Sequence, residues 1–326
     1  MNAIWVDDIT KKLYIGEADE PLMSDEDLLV NVKATAINRA DLLQRRGLYP
    51  PPAGASPIMG LEMAGVVEKV GSSVSGWKQG DRVFALLSGG GYAEKVSIPA
   101  GMAMRIPDYF SFEQAAAIPE VFLTAYLNLF VLGGLKENQT VLIHAGASGV
   151  GTAAIQLVRE AGATSIVTAS SEEKRNACLQ LGASVAIDYK AGPFAPSVKA
   201  ATGGRGVDII LDFIGAAYWE QNMESLATDG RLIVIGLMGG SKVKELDLAV
   251  LHSRRLQIIG TALRSQSVVE KISLTEQFIG FAMSRFADGR LKPIIDSVWG
   301  LTQANDAHEY MEQNKNTGKI ILRVDK

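Results

Sequence analysis

The chain of 326 residues is poor in metal-ligating side chains, with one cysteine and three histidines. The single cysteine, Cys178, excludes an intrachain disulfide and a cysteine-rich zinc lobe, and it suits a reducing compartment. Its helical context predicts a small buried apolar residue. The histidines lack the spacing of metal ligands. We interpret His144 as a strand residue, His252 as a helix-end residue and His308 as an exposed helical residue.

The sequence is also short of positive charge and of long apolar runs. Its formal net charge is −4 and its basic pairs are isolated, so nucleic acid is an unexpected partner. The N-terminus carries acid where a secretory leader needs base, and it predicts an edge strand instead. The most apolar stretch, residues 121–135, is shorter than the roughly 20 residues that span a bilayer. We therefore expect a cytoplasmic protein with no membrane partner.

Two successive patterns predict two domains, as the length of the chain also suggests. Up to about residue 110, short β-rich runs alternate with Gly and Pro turns, as in a small antiparallel barrel or sandwich. From about residue 118, a helix over residues 119–130 is followed by apolar strands with helical segments between most of them. Such strands are buried on both faces, which predicts a doubly wound parallel sheet. The six strands are expected at residues 141–144, 165–168, 186–189, 209–212, 232–235 and 256–259.

The C-terminal tail is predicted to fold back onto the first domain. It contains an amphipathic helix over residues 268–287, a strand over 293–298, a helix over 303–314 and a strand over 319–324. The expected domains are therefore residues 1–117 with 266–326, and residues 118–265.

A glycine-rich turn connects the first apolar strand to a helix expected over residues 152–161. Its sequence is Gly146-Ala147-Ser148-Gly149-Val150-Gly151, and the strand and helix on either side identify it as a dinucleotide-binding turn. Gly146 is expected to permit the tight turn and Gly151 close packing of helix on strand, with the helix N-terminus facing the pyrophosphate. Ser148 replaces the usual middle glycine, so its hydroxyl is expected to face the cofactor. A glycine turn without a ligand is the alternative.

The end of the second apolar strand indicates NADPH rather than NADH. A carboxylate commonly binds the ribose diol there, but this strand ends at Ser170 and Ser171. Lys174 and Arg175 follow one helical turn later and Tyr189 ends the next strand, which together make a pocket for a 2′-phosphate. Glu172 and Glu173 weaken this prediction, and Lys174 as a merely solvated helix residue is the alternative.

Several segments together resemble the medium-chain dehydrogenase/reductase superfamily and, within it, the quinone oxidoreductases. The segments are Asn38-Arg39-Ala40-Asp41, residues 60–67, Gly80-Asp81-Arg82-Val83, residues 115–119 and residues 144–157. Details at residues 47–52, 218–220, 236–240, 310–312 and 314–316 look most like the tumour-suppressor-inducible (PIG-three-type) quinone reductases of the zeta-crystallin-like branch.

The resemblance implies a GroES-like catalytic domain built from both chain ends, an inserted Rossmann domain and a substrate cleft at their junction. It also implies a homodimer joined through the last Rossmann strand, at residues 256–261. By position, the cofactor is expected to be lined by Thr124, Gly149, Val150, Ile214, Gly236, Met238 and the loop Leu263-Arg264-Ser265. Residues 214–215 and 236–237 also follow strand ends, where open α/β sheets bind ligands.

The zinc ligands of alcohol-oxidising relatives have no counterpart here. The corresponding positions resemble Asn38 and Leu61-Glu62, so we expect no metal and an acceptor that is already electrophilic, such as a quinone. Asn38 and Tyr49 are candidate donors to the developing oxyanion, and Asp41 is expected to organise the loop. Asn38 as a helix cap and Tyr49 as a packing aromatic are the alternatives. No general acid stands out, which leaves solvent as the proton source.

Two other functions compete with NADPH-dependent quinone reduction. A zinc-free reductase of enals or enones needs the same hydride and a similar oxyanion partner. A structural or RNA-binding role, as in zeta-crystallin-like relatives, is disfavoured by the complete cofactor pocket and the lack of a basic stripe.

Overall fold

The computed structural model describes residues 1–324 and divides into two compact units. Unit 1 comprises Met1–Leu123 and Arg264–Lys326, and unit 2 comprises Thr124–Leu263. Both ends of the chain therefore contribute to unit 1, while unit 2 is one continuous segment.

The first part of the chain consists mainly of β-strands, and the later part contains both helices and strands. The strands are β1 Asn2–Val6, β2 Leu13–Glu17, β3 Asp27–Ile37, β4 Glu62–Val70, β5 Arg82–Leu86, β6 Lys95–Pro99, β7 Ala103–Arg105, β8 Thr140–Ile143, β9 Thr164–Ala169, β10 Val185–Asp188, β11 Val207–Asp212, β12 Leu226–Val234, β13 Gln257–Gly260, β14 Ile295–Gly300 and β15 Lys319–Arg323. The α-helices are α1 Arg39–Arg45, α2 Phe112–Ala116, α3 Pro119–Tyr126, α4 Gly149–Glu160, α5 Glu172–Leu181, α6 Ala195–Ala201, α7 Trp219–Ser225, α8 Leu248–Arg254, α9 Val268–Ala287 and α10 Ala304–Glu312.

Unit 1 is built on a seven-stranded sheet with the order β14-β15-β3-β4-β5-β7, in which β6 also pairs with β3. The long strand β3 pairs antiparallel with β4, β6 and β15, and only the β14–β15 pair is parallel. Ile320 of β15 lies opposite Ile37 of β3, so the C-terminal tail completes the sheet that the first hundred residues begin. Strands β1 and β2 form a separate antiparallel pair, as the predicted N-terminal strand requires.

Helix α9 matches its predicted bounds because its ends are written in the sequence. Ser267 accepts a hydrogen bond from the Glu270 N–H, and the Glu270 carboxylate accepts one from the Ser267 N–H, which makes a capping box at the N-terminus. Leu274, Phe278 and Phe286 on one face are buried.

Unit 2 contains the predicted doubly wound sheet. Its six strands are all parallel and have the order β10-β9-β8-β11-β12-β13, which is the dinucleotide-binding order. The side of the sheet to which successive strands are added changes between β8 and β11. The central strands β8 and β11 are almost fully buried, in agreement with their apolar sequences. Strand β13 forms one edge of the sheet.

The helix predicted over residues 119–130 differs in detail. The α-helix α3 ends at Tyr126, and a π-helical segment, Leu127–Leu132, continues it. Together with α2, the helical stretch Phe112–Leu132 has 21 residues with a mean hydropathy of 1.7. This length corrects the expectation of a run too short for a bilayer. The stretch is 72% buried inside the protein over its most apolar part, and a buried core helix meets the same length and composition criteria.

Candidate functional site

The glycine-rich turn lies between β8 and α4, as predicted, but the roles of its individual residues differ from those expected. The residue in the left-handed conformation is Ala145, with φ of 49°, so Gly146 is not the residue that makes the tight turn. Gly146 is required by close packing instead, because a Cβ there would lie 2.7 Å from the Cβ of Val167 and 3.2 Å from Sγ of Cys178. Cys178 is fully buried, as expected.

Helix α4 begins at Gly149, three residues earlier than expected, because Ser148 caps it. The Ser148 hydroxyl oxygen accepts a hydrogen bond of 3.1 Å from the Gly151 N–H. This hydroxyl, predicted to face the cofactor, is therefore first a helix cap, and its own hydrogen is still able to donate. A Cβ on Gly151 would lie 2.5 Å from the carbonyl oxygens of Ala145 and Gly146. Only glycine allows this close approach of helix to turn, and the N-terminus of a 12-residue helix is left open to an anion.

The end of β9 carries the hydroxyls that the sequence indicated for a 2′-phosphate. Ser171 caps helix α5 by accepting a hydrogen bond from the Lys174 N–H at 3.3 Å. Arg175 lies 2.7 Å from the Asp188 carboxylate at the end of β10, so its charge is largely committed to that ion pair. Ser170, Ser171 and Lys174 stay the predicted phosphate-binding residues. Tyr189 is partly exposed beside Tyr218, with ring centroids 6.4 Å apart.

Buried polar groups tie the ends of β8, β9 and β11 together. His144 Nδ1 lies 3.1 Å from Thr168 Oγ1 and its Nε2 lies 2.7 Å from Asn222 Oδ1. Asn222 Nδ2 in turn donates to Asp212, which accepts from the N–H groups of Ile214 and Gly215. Burial lowers the pKa of His144 to about 4, so this imidazole is neutral and serves as a bridge between strands.

The loops after β11 and β12 contain three further predicted cofactor residues, Ile214, Gly236 and Met238, and hydrogen bonds join the two loops. Ile214 O accepts from the Gly239 N–H, Met238 N–H donates to Phe213 O, and Gly236 N–H donates to Asp212 O. Met238 is 57% exposed. Thr124 lies on α3, where its carbonyl accepts from Asn128 Nδ2, and Leu263 is buried in a 3₁₀ turn that ends with Ser265. The glycine turn and these loops follow the carboxyl ends of parallel strands, where this fold binds dinucleotides.

In unit 1, the predicted catalytic residues belong to a buried cluster of charges. Asn38 is the N-cap residue of helix α1, where its N–H donates to the Asp41 carboxylate in a capping box. Asn38 Nδ2 donates to Glu62 Oε1 at 2.8 Å and lies 3.4 Å from Ala36 O, while its Oδ1 accepts from Lys319 Nζ at 2.6 Å. The interpretation of Asn38 as a helix cap is therefore confirmed, and its amide also contacts Glu62 and Lys319. The same contacts leave Asn38 little free donor capacity, because the stronger of its two N–H contacts goes to Glu62.

Asp41 has the organising contacts expected of it. It is fully buried, and its two carboxylate oxygens accept from the N–H groups of Asn38 at 2.8 Å and Gly60 at 3.2 Å. Burial, opposed by these hydrogen bonds, raises the pKa of Asp41 to about 6. Asp41 thus links the start of α1 to the loop before β4.

A lysine ammonium lies against Asn38 and Glu62, two positions that the resemblance aligned with zinc ligands. Lys319 Nζ lies 2.7 Å from Glu62 Oε1 and 2.9 Å from Ile37 O, and it also contacts Asn38. The side chains of Lys319 and Glu62 are almost fully buried. An ammonium and a zinc ion cannot share the same oxygens, so these side chains do not fit a zinc site. Within residues 1–324, no group of three or more His, Cys, Asp or Glu side chains could hold a metal.

Glu120 at the start of α3 completes the cluster. Its N–H donates to Glu62 Oε2 at 2.8 Å. Desolvation, followed by the neighbouring Glu62 charge, raises the pKa of Glu120 to about 8. Glu120 is partly exposed, whereas Asp41 and Glu62 have no exposed surface.

Tyr49 lies against Arg264. The guanidinium carbon is 5.2 Å from the Tyr49 ring centroid, and Arg264 also bonds to Ser88 O and Gln44 Oε1. Burial raises the pKa of Tyr49, which keeps the phenol protonated. Arg264, expected in a cofactor loop, is a buried cation of unit 1.

His308 is not exposed, contrary to expectation. It is fully buried in α10, its Nε2 lies 3.0 Å from the Tyr92 hydroxyl, and burial lowers its pKa to about 3. The apolar face of α10 includes His308 because Ala304, Ala307 and Met311 lie on the same side.

Sequence reasoning missed Glu120 and Lys319. A signal for Lys319 was present, since a lysine opens the otherwise apolar strand Lys319-Ile320-Ile321-Leu322 and must find a buried acceptor there. Glu62, which opens the apolar strand β4, is that acceptor. Their separation of 257 residues made the pair invisible to any local pattern.

Comparison with known proteins identifies the family of this chain. Residues 24–108 match the alcohol dehydrogenase GroES-like domain, and residues 149–277 match the family described as zinc-binding dehydrogenase. The second range, residues 149–277, does not include Asn38 or Glu62. The human synaptic vesicle membrane protein VAT-1 homolog is 32% identical, over 95% of this chain and 82% of that protein. The chain belongs to the medium-chain dehydrogenase/reductase superfamily. The pig quinone oxidoreductase, 32% identical over 93% of this chain and 90% of that protein, places it in the quinone oxidoreductase and VAT-1 branch.

Solved structures of this superfamily share the fold throughout. The Escherichia coli quinone oxidoreductase complexed with NADPH has a TM-score of 0.86 and 30% identity, covering 99% of this chain and all of that one. The CurK enoyl reductase has the same TM-score with 26% identity, covering 99% of each chain. The fold predicted from the sequence, a GroES-like domain with a Rossmann domain, is therefore confirmed.

Proposed function

We propose that this medium-chain reductase transfers hydride from NADPH to quinones without a metal. The observation that carries the proposal is the Lys319 ammonium held between Asn38 and Glu62, at the positions where the zinc-dependent relatives were expected to have ligands. A reductase without a Lewis acid needs an acceptor that is already electrophilic, and a quinone meets this need. Bound NADPH supplies the hydride.

The cofactor preference rests on the surroundings of β9. Ser170 and Ser171 stand where a ribose-binding carboxylate would disfavour a phosphate, and Lys174 adds a cation one turn later. Arg175 is engaged by Asp188, and Lys174 stays a predicted cation of the phosphate site. The NADPH complex of the Escherichia coli relative supports a phosphorylated cofactor.

On the acceptor side, Tyr49 becomes the first candidate donor. Its raised pKa keeps the hydroxyl protonated, and a neutral phenol can donate to an oxygen on which charge develops. Asn38 remains a candidate through the N–H that faces Ala36 O at 3.4 Å, and Asp41 acts by holding the Asn38 backbone. The rest of the acceleration comes from holding acceptor and cofactor in reach of each other, a contribution of up to ~7–11 kcal/mol in favourable cases.

The proposed assembly is a homodimer joined through β13. Three of its four residues are exposed, and Ile258 leaves 39% of its surface accessible at the edge of the sheet. An edge strand with unpaired N–H and C=O groups is a ready template for a second copy. The placement among the PIG-three-type reductases and the cytoplasmic location remain predictions.

An enal or enone reductase is the second candidate, favoured by the likeness to the CurK enoyl reductase. The two functions are separated by measuring NADPH oxidation across ortho-quinones, para-quinones, enals, enones and alcohols, with metal-stripped protein and with NADH in parallel. We expect quinones to be reduced fastest, with NADPH preferred and no gain from added zinc. Activity confined to enals or enones, or dependence on zinc, would overturn the proposal.

A further inference from the structure

We propose that Arg264 is a positioning residue that holds Tyr49 for donation to the acceptor oxygen. This inference rests on the proposed function, in which Tyr49 is the first candidate donor, and it assigns a role to a buried arginine. Arg264, Tyr49 and the residues that link them all belong to unit 1.

The loop that carries Tyr49 has little support from its own backbone. Residues 46–61, which connect α1 to β4, form neither helix nor strand. Tyr49 is followed by three prolines, residues 50–52, and proline has no backbone N–H to donate. The position of Tyr49 therefore depends on side chains that reach the loop from other elements.

Arg264 reaches this loop with its whole guanidinium group. The guanidinium carbon lies 5.2 Å from the centroid of the Tyr49 ring, within cation–π distance, and Nη1 donates to Tyr49 O at 3.4 Å. Nη2 donates to Gln44 Oε1 at 2.8 Å, and Nε donates to Ser88 O at 2.9 Å. A planar group with five N–H donors suits several fixed acceptors and an aromatic face at once. One side chain thus joins the Tyr49 loop to helix α1 and to the loop after β5.

Gln44 extends this anchor to the far side of the prolines. Its Oε1 accepts from Arg264, and its Nε2 donates to Pro57 O at 3.2 Å. An amide oxygen only accepts and an amide nitrogen only donates, so both contacts are made in one orientation of the side chain. The loop is therefore held at Tyr49 before the prolines and at Pro57 after them.

Lys271 fixes Arg264 in turn. Its Nζ donates to Arg264 O at 2.7 Å and to Ser88 Oγ at 2.8 Å. Arg264 and Lys271 are only 4% and 2% exposed, and the acceptors of both cations are neutral oxygens. A buried cation costs desolvation energy. Beside Tyr49 that positive charge also stabilises negative charge that develops on a bound acceptor.

The hydroxyl of Tyr49 stays able to donate while its ring is held. Arg264 contacts the ring and the backbone oxygen of Tyr49, and Tyr49 is partly exposed. Burial raises the pKa of Tyr49 and the Glu120 charge raises it further, whereas the Arg264 charge opposes both. Arg264 therefore orients the phenol and also makes it a stronger hydrogen-bond donor.

The test is a double-mutant cycle between Tyr49→Phe and Arg264→Gln, measured as kcat with a quinone. Tyr49→Phe should lower kcat by ~10²-fold, the scale of one lost oxyanion donor. Arg264→Gln should lower kcat and kcat/KM together by roughly tenfold or more, with the Kd for NADPH unchanged. Added to Tyr49→Phe, the same change should lower kcat by less than about threefold, because the donor that Arg264 positions is already absent.

Three further variants separate positioning from a general loss of structure. Arg264→Lys keeps a cation beside Tyr49 and should recover part of the rate. Arg82→Gln is the matched control, because Arg82 lies 4.9 Å from the Phe112 ring centroid and donates to Pro107 O and Phe110 O, outside the Tyr49 loop. It should lower Tm without changing kcat. Gln44→Met removes one anchor and leaves Arg264 in place, so it should lower kcat by a few-fold, and only when Tyr49 is present.

The possible failures are distinguishable. If Arg264→Gln lowers kcat equally with and without the Tyr49 hydroxyl, the inference alone is overturned. A normal kcat with weakened NADPH binding would assign Arg264 to the cofactor and would also overturn it. A Tyr49→Phe enzyme as fast as wild type removes the donor and the inference with it. A wild type inactive with every quinone overturns the proposed function itself.

Discussion

Replacing Lys319 by methionine removes one partner of a buried ion pair while keeping the length of the side chain. Lys319 and Glu62 are 3% and 0% exposed, so the variant leaves the Glu62 charge in the interior with only the Asn38 and Glu120 N–H groups. Breaking such a pair from one side costs about 3–5 kcal/mol. For a unit of this size each kcal/mol lowers Tm by about 2–4 °C, so we expect a decrease of roughly 6–20 °C.

The assay is thermal unfolding followed by circular dichroism and calorimetry at pH about 7, with the transition of unit 1 identified by its change in the variant. The double variant Lys319→Met with Glu62→Gln should recover most of the loss, because it removes both charges together. Arg290→Met is the control, since its ion pair with Asp288 is exposed at the surface and should shift Tm by no more than ~2–4 °C. A Lys319→Met protein as stable as wild type would refute a buried, unscreened pair.

Three further predictions concern the cofactor and the assembly. Gly151→Ala places a Cβ 2.5 Å from two carbonyl oxygens, so NADPH affinity measured by fluorescence titration should fall by ~10²-fold. The control Gly280→Ala, with open space around it, should leave the affinity unchanged. An unchanged Kd for Gly151→Ala would contradict the role of the turn. Lys174→Ala should reduce the preference for NADPH over NADH by roughly tenfold or more in kcat/KM, the scale of one charge-assisted hydrogen bond, and an unaltered ratio would remove Lys174 from the phosphate site. Ile258→Lys should convert a dimer to monomer in sedimentation velocity, while Ile9→Lys, at a residue 91% exposed, should not; a dimer that survives Ile258→Lys counts against pairing through β13.

The fold could be predicted from the sequence because its signals are local. Apolar strands of four to six residues alternate with helices in unit 2, and each signal lies within one element. The start of helix α9 is also determined by a local signal, the capping box of Ser267 and Glu270. The break in α3 was missed because a π-helical segment such as Leu127–Leu132 has the same apolar composition as an α-helix.

The candidate site was predicted only in part, and the reason is its long-range contacts. Asn38, Asp41 and Tyr49 were found from short segments, but the partners that decide their chemistry lie far along the chain. Lys319 reaches Asn38 from 281 residues away. The helix-capping and donor roles of Asn38 could not be separated until the direction of its amide was known.

Within the glycine turn, the sequence motif led to a wrong role for Gly146. Gly146 was assigned the backbone strain, but Ala145 has the positive φ, and Gly146 is small because Val167 and Cys178 come so close. A glycine motif indicates positions where a side chain is not tolerated. It does not show whether the reason is a positive φ angle or the close approach of a neighbouring residue.

The pairing of β15 with β3 also orders the events of synthesis. As the chain leaves the ribosome, all of unit 2 emerges before residue 319, so its sheet can close while unit 1 is still incomplete. Until then Glu62 has no ammonium to neutralise it, and β3 lacks its last partner. Loss of the final strand would therefore leave unit 2 with a complete sheet and unit 1 with an unpaired edge at β3, which could pair with another chain.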